Sequence, residues 1–455
     1  MMATSMERVY LMAEASSIAD QLRVRCRQAP DGDLIWTGPE GYGTELTPLR
    51  EVRLGPHLYD GTTGIALFFA ALARAQGESE HRDLALRILK PLRRQLSALV
   101  TTPERADRLV LSVGGLIGLG SLVYGLLKIG ELLDEPALIR EAQEVTVLIT
   151  SERIARDQRV RIQTGSAGAI LALLALHARL PEPNPAGRAP LNIACECGQH
   201  LLETRISFEG RPRAWALSPG KPPLSGFSYG AAGVSYALLR LYEATEQQDF
   251  LDAASEGLAF VRDLYSPEQG CWRDIRPLFE SRYRPRRGTW RDWWASGTLD
   301  TLEKVSDPLP AEGGFLPMWC HGGPGIALGQ IGAISVNDSS EIRGEIDGAL
   351  KRARSYARGT EDLTGPDDLC CGHMGLVELF LSAAQKLDDE NALDDALLLM
   401  ERVRRRAESE GRYELSAARG KDIFTPFLFQ GIAGVGYSLV RLAAPGEIPC
   451  LLLLE

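Results

Sequence analysis

A short glycine signal recurs seven times along this chain and constrains its fold more than any other feature. In each instance a glycine, two further residues and a second glycine are followed by a dense apolar run. Successive first glycines are 54, 50, 65, 92, 50 and 59 residues apart, a spacing typical of a repeated helical hairpin. The seven pairs are Gly61–Gly64, Gly115–Gly118, Gly165–Gly168, Gly230–Gly233, Gly322–Gly325, Gly372–Gly375 and Gly431–Gly434.

The segments after and between the motifs differ in polarity. Each motif opens a helix that is apolar on nearly all faces, as in Ile65-ALFFAALA and Ala169-ILALLALHA, and such helices are buried. The intervening helices, such as Asp249-FLDAASEGLAFVRDLY, are amphipathic and rich in charge. Seven buried and seven half-exposed helices predict an all-α fold, an α/α toroid with an inner and an outer ring. We predict one such domain over residues 1–455, because a closed ring leaves no end repeat uncovered.

Two physical reasons would place glycine at the entrance of each buried helix. Glycine adopts positive φ values and lets two backbones approach closely where the chain turns near the ring axis. It also leaves bare N–H groups at the positive end of the helix dipole, directed at the central cavity. For most of the seven motifs we expect packing to be the reason.

Charge and composition narrow the class of partner. A formal net charge of −10 argues against general nucleic-acid binding. No apolar run approaches the ~20 residues of a membrane span, and the N-terminal segment lacks the apolar core of a signal peptide. Eight cysteines in such a chain are more typical of thiols or metal ligands than of disulfides. We therefore expect a soluble, cytoplasmic protein with neither nucleic-acid nor membrane partners.

The long fourth interval contains an insert at about 277–316. Its arginines and aromatic residues are interleaved, and loops of this length are usually functional or disordered. A lid or a docking surface for a peptide is one interpretation, and a solvated excursion anchored by tryptophan is an equally open one. The residues concerned are Arg282, Arg284, Arg286, Arg287, Arg291, Tyr283, Trp290, Trp293 and Trp294.

Three cysteines carry the strongest chemical signal. Cys320 and the adjacent Cys370 and Cys371 occupy the same point of two successive repeats, so repeat symmetry should bring them together. Three thiolates suit Zn²⁺ and leave a fourth coordination position open for a substrate thiol, which the metal would deprotonate. Buried core cysteines remain the alternative. His321 follows Cys320 and is a candidate acid or base, or a residue that simply lines the cavity.

The motif residues together resemble a known family, the lanthipeptide cyclases (LanC), and in particular the cyclase domain of class II lanthipeptide synthetases (LanM). The resemblance spans nearly the whole chain and is most specific at Trp319-CHGGPGIALG and Leu369-CCGHMGLVELFL. It implies a zinc-dependent enzyme that adds a cysteine thiol to a dehydroamino acid of a ribosomally made peptide, which forms a thioether (lanthionine) ring. It also implies that Cys320, Cys370 and Cys371 are the zinc ligands, as in the three-cysteine subgroup.

Two positions depart from the family pattern. Where the fourth motif usually has a histidine thought to act in proton transfer, this chain has Tyr229, and where the third motif usually has an aspartate, it has Arg161. Tyrosine can donate a proton to an enolate but is a poor base, since its ordinary pKa is about 10. Arginine cannot act as a base, although it can hold a carboxylate or stabilise an enolate. The candidate catalytic residues are therefore His321, Tyr229 and Arg161.

Class II enzymes carry a dehydratase domain ahead of the cyclase, whereas only 60 residues precede the first motif here. We therefore expect a stand-alone cyclase whose precursor peptide is dehydrated by a separate enzyme. Two alternatives stay open: the same zinc fold adding another nucleophile or a small thiol such as glutathione, and a non-catalytic protein that binds a peptide or partner enzyme. Other α/α toroids fit poorly, because Asp60 and the adjacent Asp367 and Asp368 form no carboxylate pair across repeats.

Overall fold

The computed structural model describes residues 5–40, 50–102, 112–180, 189–216, 221–274, 276, 283–285, 302–304, 316–418 and 423–455. Of the predicted insert at about 277–316, only two short paired strands and residue 316 fall within these ranges. The proposals of a lid or a docking surface there concern residues outside the described part of the chain. The single-domain boundaries, residues 1–455, likewise stay a prediction.

Helices dominate the described part of the chain, and its strands are short antiparallel pairs. The helices are α1 (Ser5–Val24), α2 (Thr62–Gln76), α3 (Ser79–Thr101), α4 (Leu119–Leu132), α5 (Pro136–Val145), α6 (Ser151–Ala155), α7 (Ser166–His177), α8 (Pro190–Glu203), α9 (Ala231–Thr245), α10 (Gln248–Arg262), α11 (Gly323–Gly332), α12 (Ser340–Ala357), α13 (His373–Lys386), α14 (Ala392–Glu410) and α15 (Ile432–Ala443). The strands are β1 (Arg27–Gln28), β2 (Leu34–Ile35), β3 (Thr37–Pro39), β4 (Glu51–Arg53), β5 (Tyr265–Ser266), β6 (Cys271–Trp272), β7 (Tyr283–Pro285) and β8 (Leu302–Lys304).

The helices form two concentric rings, as the sequence predicted. The buried helices α2, α4, α7, α9, α11, α13 and α15 contact one another in that order, and α15 contacts α2, so the inner ring closes. Each inner helix packs against one amphipathic helix of the outer ring: α3, α5, α8, α10, α12 and α14 cover the first six. The outer partner of α15 is α1, so the first helix of the chain completes the outer ring.

Glycine precedes the first residue of each inner helix, but mostly for reasons of space. The N-terminal capping residues are Gly61, Gly118, Gly165, Gly230, Gly322, Gly372 and Gly431. Only Gly118 among these has a positive φ, +132°, and it is the second glycine of its predicted pair, so that helix begins one turn later than the motif suggests. At Gly233 a Cβ atom would collide with the carbonyl oxygen of Phe227, six residues earlier.

Backbone hydrogen bonds link the turns that precede the inner helices. At six of the seven turns, the residue two positions before the capping glycine donates its N–H to the carbonyl of the equivalent residue in the neighbouring turn. The six bonds run from Ser228 to Cys320 (3.1 Å), Cys320 to Cys370 (3.2 Å), Cys370 to Phe429 (2.9 Å), Phe429 to Tyr59 (3.1 Å), Tyr59 to Leu116 (3.0 Å) and Leu116 to Gln163 (3.1 Å). We call this the turn belt, and it places equivalent residues of successive repeats side by side.

The other end of the ring is occupied by the C-terminal segment. Leu451–Leu453 forms a buried 3₁₀ turn, and Tyr236 and Tyr124 on the inner helices donate to the carbonyl oxygens of Leu453 (3.4 Å) and Glu455 (2.9 Å). The apolar tail therefore packs against the body of the protein. Within the described ranges, no helix combines the length and the apolar character that crossing a bilayer requires.

Candidate metal centre

The three predicted cysteines meet at one point of the turn belt. Cys320 lies in the turn before α11, and Cys370 and Cys371 lie in the turn before α13. Their sulfur atoms all lie within 4.8 Å of one another, and the Sγ atoms of Cys320 and Cys371 are 3.8 Å apart. None is in a disulfide. Three soft sulfur donors that converge in this way match the ligand preference of Zn²⁺.

Neighbouring turns supply hydrogen bonds to these sulfurs. Tyr59, before α2, donates its hydroxyl to Cys370 Sγ at 3.0 Å, and the Gln430 amide, before α15, donates to Cys371 Sγ at 3.6 Å. Hydrogen bonds from the Cys320 and Cys370 thiols hold the pKa of Cys371 well below its ordinary value. Burial and the neighbouring thiols raise the pKa of Cys370 well above its own. The cluster therefore favours a first negative charge on Cys371.

Two buried aspartates hold the turn that carries Cys370 and Cys371. Asp368 accepts hydrogen bonds from the backbone N–H of Cys371 (2.9 Å) and of Ser416 (2.7 Å), and Asp367 accepts one from that of Glu414 (2.9 Å). Burial, reinforced by the charge of Cys371, raises the pKa of Asp368 to about 7. Both carboxyl groups thus bind protein backbone, which fits with the sequence-based judgement that they are no catalytic carboxylate pair.

His373, the first residue of α13, belongs to the same network. Nδ1 of His373 lies 3.1 Å from Oδ1 of Asp367, and the imidazole is buried. Arg406 also binds this carboxylate oxygen. His373 therefore helps to hold the turn in place through its contact with Asp367.

The structure brings the other three predicted residues together in one stack. The rings of Tyr229 and His321 are parallel, with centroids 4.7 Å apart and an interplanar angle of 10°. The Arg161 guanidinium lies 4.8 Å from the centre of the Tyr229 ring, and its Nε donates to Oγ1 of Thr164 at 3.0 Å. Burial, with the positive charges of Arg276 and Arg161, holds the pKa of His321 well below its ordinary value. His321 is therefore neutral at physiological pH.

A cavity of about 360 Å³ lies beside Arg161 and Tyr229 of the stack. Tyr59 and Gln430 both line it, and both donate a hydrogen bond to a sulfur of the cluster, so these two side chains lie between the cavity and the cysteines. Its polar wall also contains Asp60, Arg159, Arg161 and Tyr229.

Tyr59 and Gln430 were not predicted from the sequence as parts of the site, and Asp60 was considered only as one half of a carboxylate pair. A signal for them existed, since each lies one or two positions before a capping glycine, the register of Cys370 and Cys371. His57 lies close enough to Asp60 to influence its ionisation.

The sequence model of one protein family, described as "Lanthionine synthetase C-like protein", matches residues 53–453. That span includes all seven glycine motifs, the three cysteines and the stack. The chain belongs to the lanthionine synthetase C-like family. The resemblance found in the sequence is confirmed at the level of the family. None of the curated proteins compared with the chain is similar enough in sequence to count as a match.

Solved structures agree on the architecture. Nisin cyclase aligns over 88% of this chain and 92% of its own, with 16% sequence identity and a TM-score of 0.57. The GH76 α-mannanase of Bacteroides thetaiotaomicron aligns over 96% and 95% of the two chains, with 10% identity and a TM-score of 0.45. At 16% identity the likeness to nisin cyclase shows a shared toroid fold.

Proposed function

We propose that this lanthionine synthetase C-like protein is a zinc-dependent cyclase that joins a cysteine thiol to a dehydroamino acid of a ribosomally made peptide. The observation that carries the proposal is the convergence of three sulfurs within 4.8 Å in the turns that precede α11 and α13. Membership of the family and the likeness to nisin cyclase support the same reaction, the formation of a thioether ring.

Cys320, Cys370 and Cys371 would hold the zinc ion. Zinc bound by three protein ligands keeps one position open, and it lowers the pKa of a thiol that binds there. Tyr59 and Gln430 orient the ligand sulfurs through their hydrogen bonds, and Asp368 fixes the backbone of Cys371. Partners of this kind set the basicity and direction of the ligands.

His321, Tyr229 and Arg161 would handle protons and charge. A neutral imidazole can accept the proton that the substrate thiol loses, and the depressed pKa of His321 keeps it neutral. The Tyr229 hydroxyl and the cationic Arg161 would stabilise the negative charge that develops on the carbonyl oxygen of the dehydroamino acid. The stacking of all three fixes their relative positions before substrate arrives.

The size of the cavity indicates how a peptide would be used. A volume of about 360 Å³ is at the small end of ligand pockets, which span roughly 300–1,000 Å³. It accommodates the reacting residues rather than a whole precursor, so the rest of the peptide would lie outside the ring. The dehydrated residue would be made beforehand by a dehydratase.

The proposal is tested with purified wild type, Cys371→Ala and, as a matched control, Cys195→Ala on the outer helix α8. The probe is a synthetic peptide with a dehydroalanine and a cysteine two residues apart, and free thiol is followed by alkylation and mass spectrometry. We expect about one zinc per chain and thiol consumption in wild type and Cys195→Ala, and loss of both in Cys371→Ala. Wild type with less than half an equivalent of zinc, or without thiol consumption above background, would reject the cyclase.

A second candidate reaction rests on the two arginines in the cavity wall. Arg159 and Arg161 suit a thiol that carries a carboxylate, such as glutathione, as the added nucleophile. Offering glutathione, free cysteine and an uncharged thiol to a peptide that has dehydroalanine and no cysteine separates this from ring formation. Peptide binding that survives Cys371→Ala, without chemistry in either assay, would instead indicate a binding protein.

A further inference from the structure

The last step of the proposed addition delivers a proton to the α-carbon of the dehydroamino acid. The thiol S–H bond breaks, a bond forms between sulfur and the β-carbon, and the electron pair of the double bond moves onto the carbonyl oxygen as an enolate. His321 can accept the thiol proton, and Tyr229 and Arg161 can stabilise the oxygen. The α-carbon still requires a proton, and an acid must stand near it.

Asp60 occupies the register of the site residues. It immediately precedes the capping glycine of α2, as Tyr229, His321 and Cys371 precede those of α9, α11 and α13. The order of the turn belt puts His321 in the turn on one side of Cys371. On the other side come Gln430 and then Asp60. A base and an acid therefore flank the sulfurs from opposite directions.

The backbone at Asp60 is fixed to the sulfur cluster. The preceding residue, Tyr59, donates its hydroxyl to Cys370 Sγ at 3.0 Å and stacks on Phe429 with ring centroids 4.9 Å apart. Asp60 itself lines the same cavity as Tyr229. Among the described residues of that cavity wall, Asp60 carries the only carboxyl group. A carboxyl group is a stronger acid than the phenol hydroxyls of Tyr59 and Tyr229, which also line the cavity.

His57 and burial determine the protonation of Asp60. Nδ1 of His57 accepts a hydrogen bond from the backbone N–H of Gly118 at 3.3 Å, which leaves the proton of a neutral ring on Nε2. Burial raises the pKa of Asp60 and lowers that of His57, and each opposes the shift of the other only in part. The other titratable or charged groups of the cavity wall are Tyr59, Arg159, Arg161 and Tyr229. Burial thus shifts both groups toward their uncharged forms.

We propose that Asp60, paired with His57, is the acid that delivers a proton to the α-carbon. This inference rests on the proposed function. The carboxyl O–H bond breaks as the C–H bond forms, and the enolate electron pair becomes that bond. Asp60 leaves the step as a carboxylate and regains a proton from the one that His321 took from the thiol, relayed by water. The sum is addition of an S–H bond across a C=C bond, with no net proton consumed.

Wild type, Asp60→Asn, Asp60→Glu and the outer-ring control Asp249→Asn are compared on the dehydroalanine and cysteine peptide. We expect Asp60→Asn to lose about 10²–10⁴-fold in rate while keeping its zinc, and Asp60→Glu to recover part of that loss. We also expect wild type in D₂O to place deuterium on one face of the α-carbon, and residual product of Asp60→Asn to be a mixture of diastereomers. A rate and a stereochemical outcome for Asp60→Asn equal to those of Asp249→Asn would overturn the assignment.

The failures of the two proposals are distinguishable. Wild type that holds zinc yet consumes no thiol contradicts the cyclase, whereas an active wild type with an equally active Asp60→Asn contradicts only the role of Asp60. If the wild type shows no cyclase activity, the role of Asp60 is tested without substrate by ¹³C NMR. The carboxyl signal of Asp60 is identified as the one that is present in the wild type and absent from Asp60→Asn. We expect it to titrate above the range of an ordinary aspartate, and titration within that range would overturn the role.

Discussion

Tyr59 reaches from the turn before α2 to the sulfur cluster, and its replacement by phenylalanine removes one hydroxyl while keeping the ring. That hydroxyl donates to Cys370 Sγ at 3.0 Å, and the ring keeps its stacking on Phe429. The substitution therefore isolates one hydrogen bond to a proposed zinc ligand. We expect Tyr59→Phe to weaken zinc binding much more than it weakens the fold.

The two magnitudes differ for a physical reason. Loss of one buried hydrogen bond costs about 0.5–1.5 kcal/mol of unfolding free energy. Loss of a hydrogen-bond partner to a metal ligand typically lowers metal affinity about 10–100-fold, or roughly 1.4–2.8 kcal/mol. The pKa of Cys370 is already raised by burial and by its neighbouring thiols, so protons compete with zinc at this sulfur. The loss of zinc affinity should therefore grow as the pH falls.

Competition with a chelator of known affinity, at several pH values, measures the zinc dissociation constant, and urea denaturation of the metal-free protein measures stability. Tyr437→Phe is the matched control, because its buried hydroxyl donates to the carbonyl of Pro449 at 2.8 Å, near the C-terminal segment. Both variants should lose similar stability, and only Tyr59→Phe should lose zinc affinity. Equal zinc affinity in the two variants at every pH would refute the reasoning.

Three further predictions address other parts of the molecule. Asp368→Ala leaves the backbone N–H groups of Cys371 and Ser416 without their acceptor, so it should cost about 2–6 kcal/mol of unfolding free energy and weaken zinc binding. Asp368→Asn should give effects between those of the wild type and Asp368→Ala. Calorimetry measures the stability and chelator competition the zinc affinity, and an unchanged zinc affinity would contradict the positioning role. Leu453→Ala opens a cavity in the buried C-terminal turn and should cost about 2–5 kcal/mol in denaturant unfolding, whereas a loss below about 1 kcal/mol would show that the segment is not part of the core. The cyclisation rate should fall as the pH rises through the pKa of Asp60, which burial raises, because only the protonated carboxyl can donate a proton to the α-carbon. A wild-type rate that stays constant over that pH range would contradict the role of Asp60 as the acid.

The ring could be predicted because its signal is local and repeated. Helices such as α2 and α7 are apolar on every face, and only an inner layer buries such helices. Two features depended on contacts between distant residues and left no local pattern. One is the packing of α1 on α15. The other is the start of α4, which follows Gly118, the second glycine of its motif, whereas the other inner helices follow the first glycine.

The metal site could be predicted because residues of a rare type lie at equivalent positions of two repeats. Cysteine is rare enough that Cys320, Cys370 and Cys371 stood out, whereas Asp60 and Gln430 are common residue types and gave no signal by themselves. The departures from the family pattern identified Arg161 and Tyr229 as separate candidates, without indicating that they are in contact. Their stacking with His321 needed the three-dimensional arrangement of neighbouring turns, because it depends on ring orientation and not on spacing.

The central claim is a metal held by Cys320, Cys370 and Cys371 with one position open to a substrate thiol. Zinc-edge X-ray absorption of the purified protein, before and after addition of the cysteine-containing peptide, tests it most directly. We predict three sulfur scatterers at the usual Zn–S distance of about 2.3 Å with one lighter atom, and four sulfurs once the peptide is added. Fewer than three sulfurs in the free protein, or a sulfur count that the peptide leaves unchanged, would contradict the account.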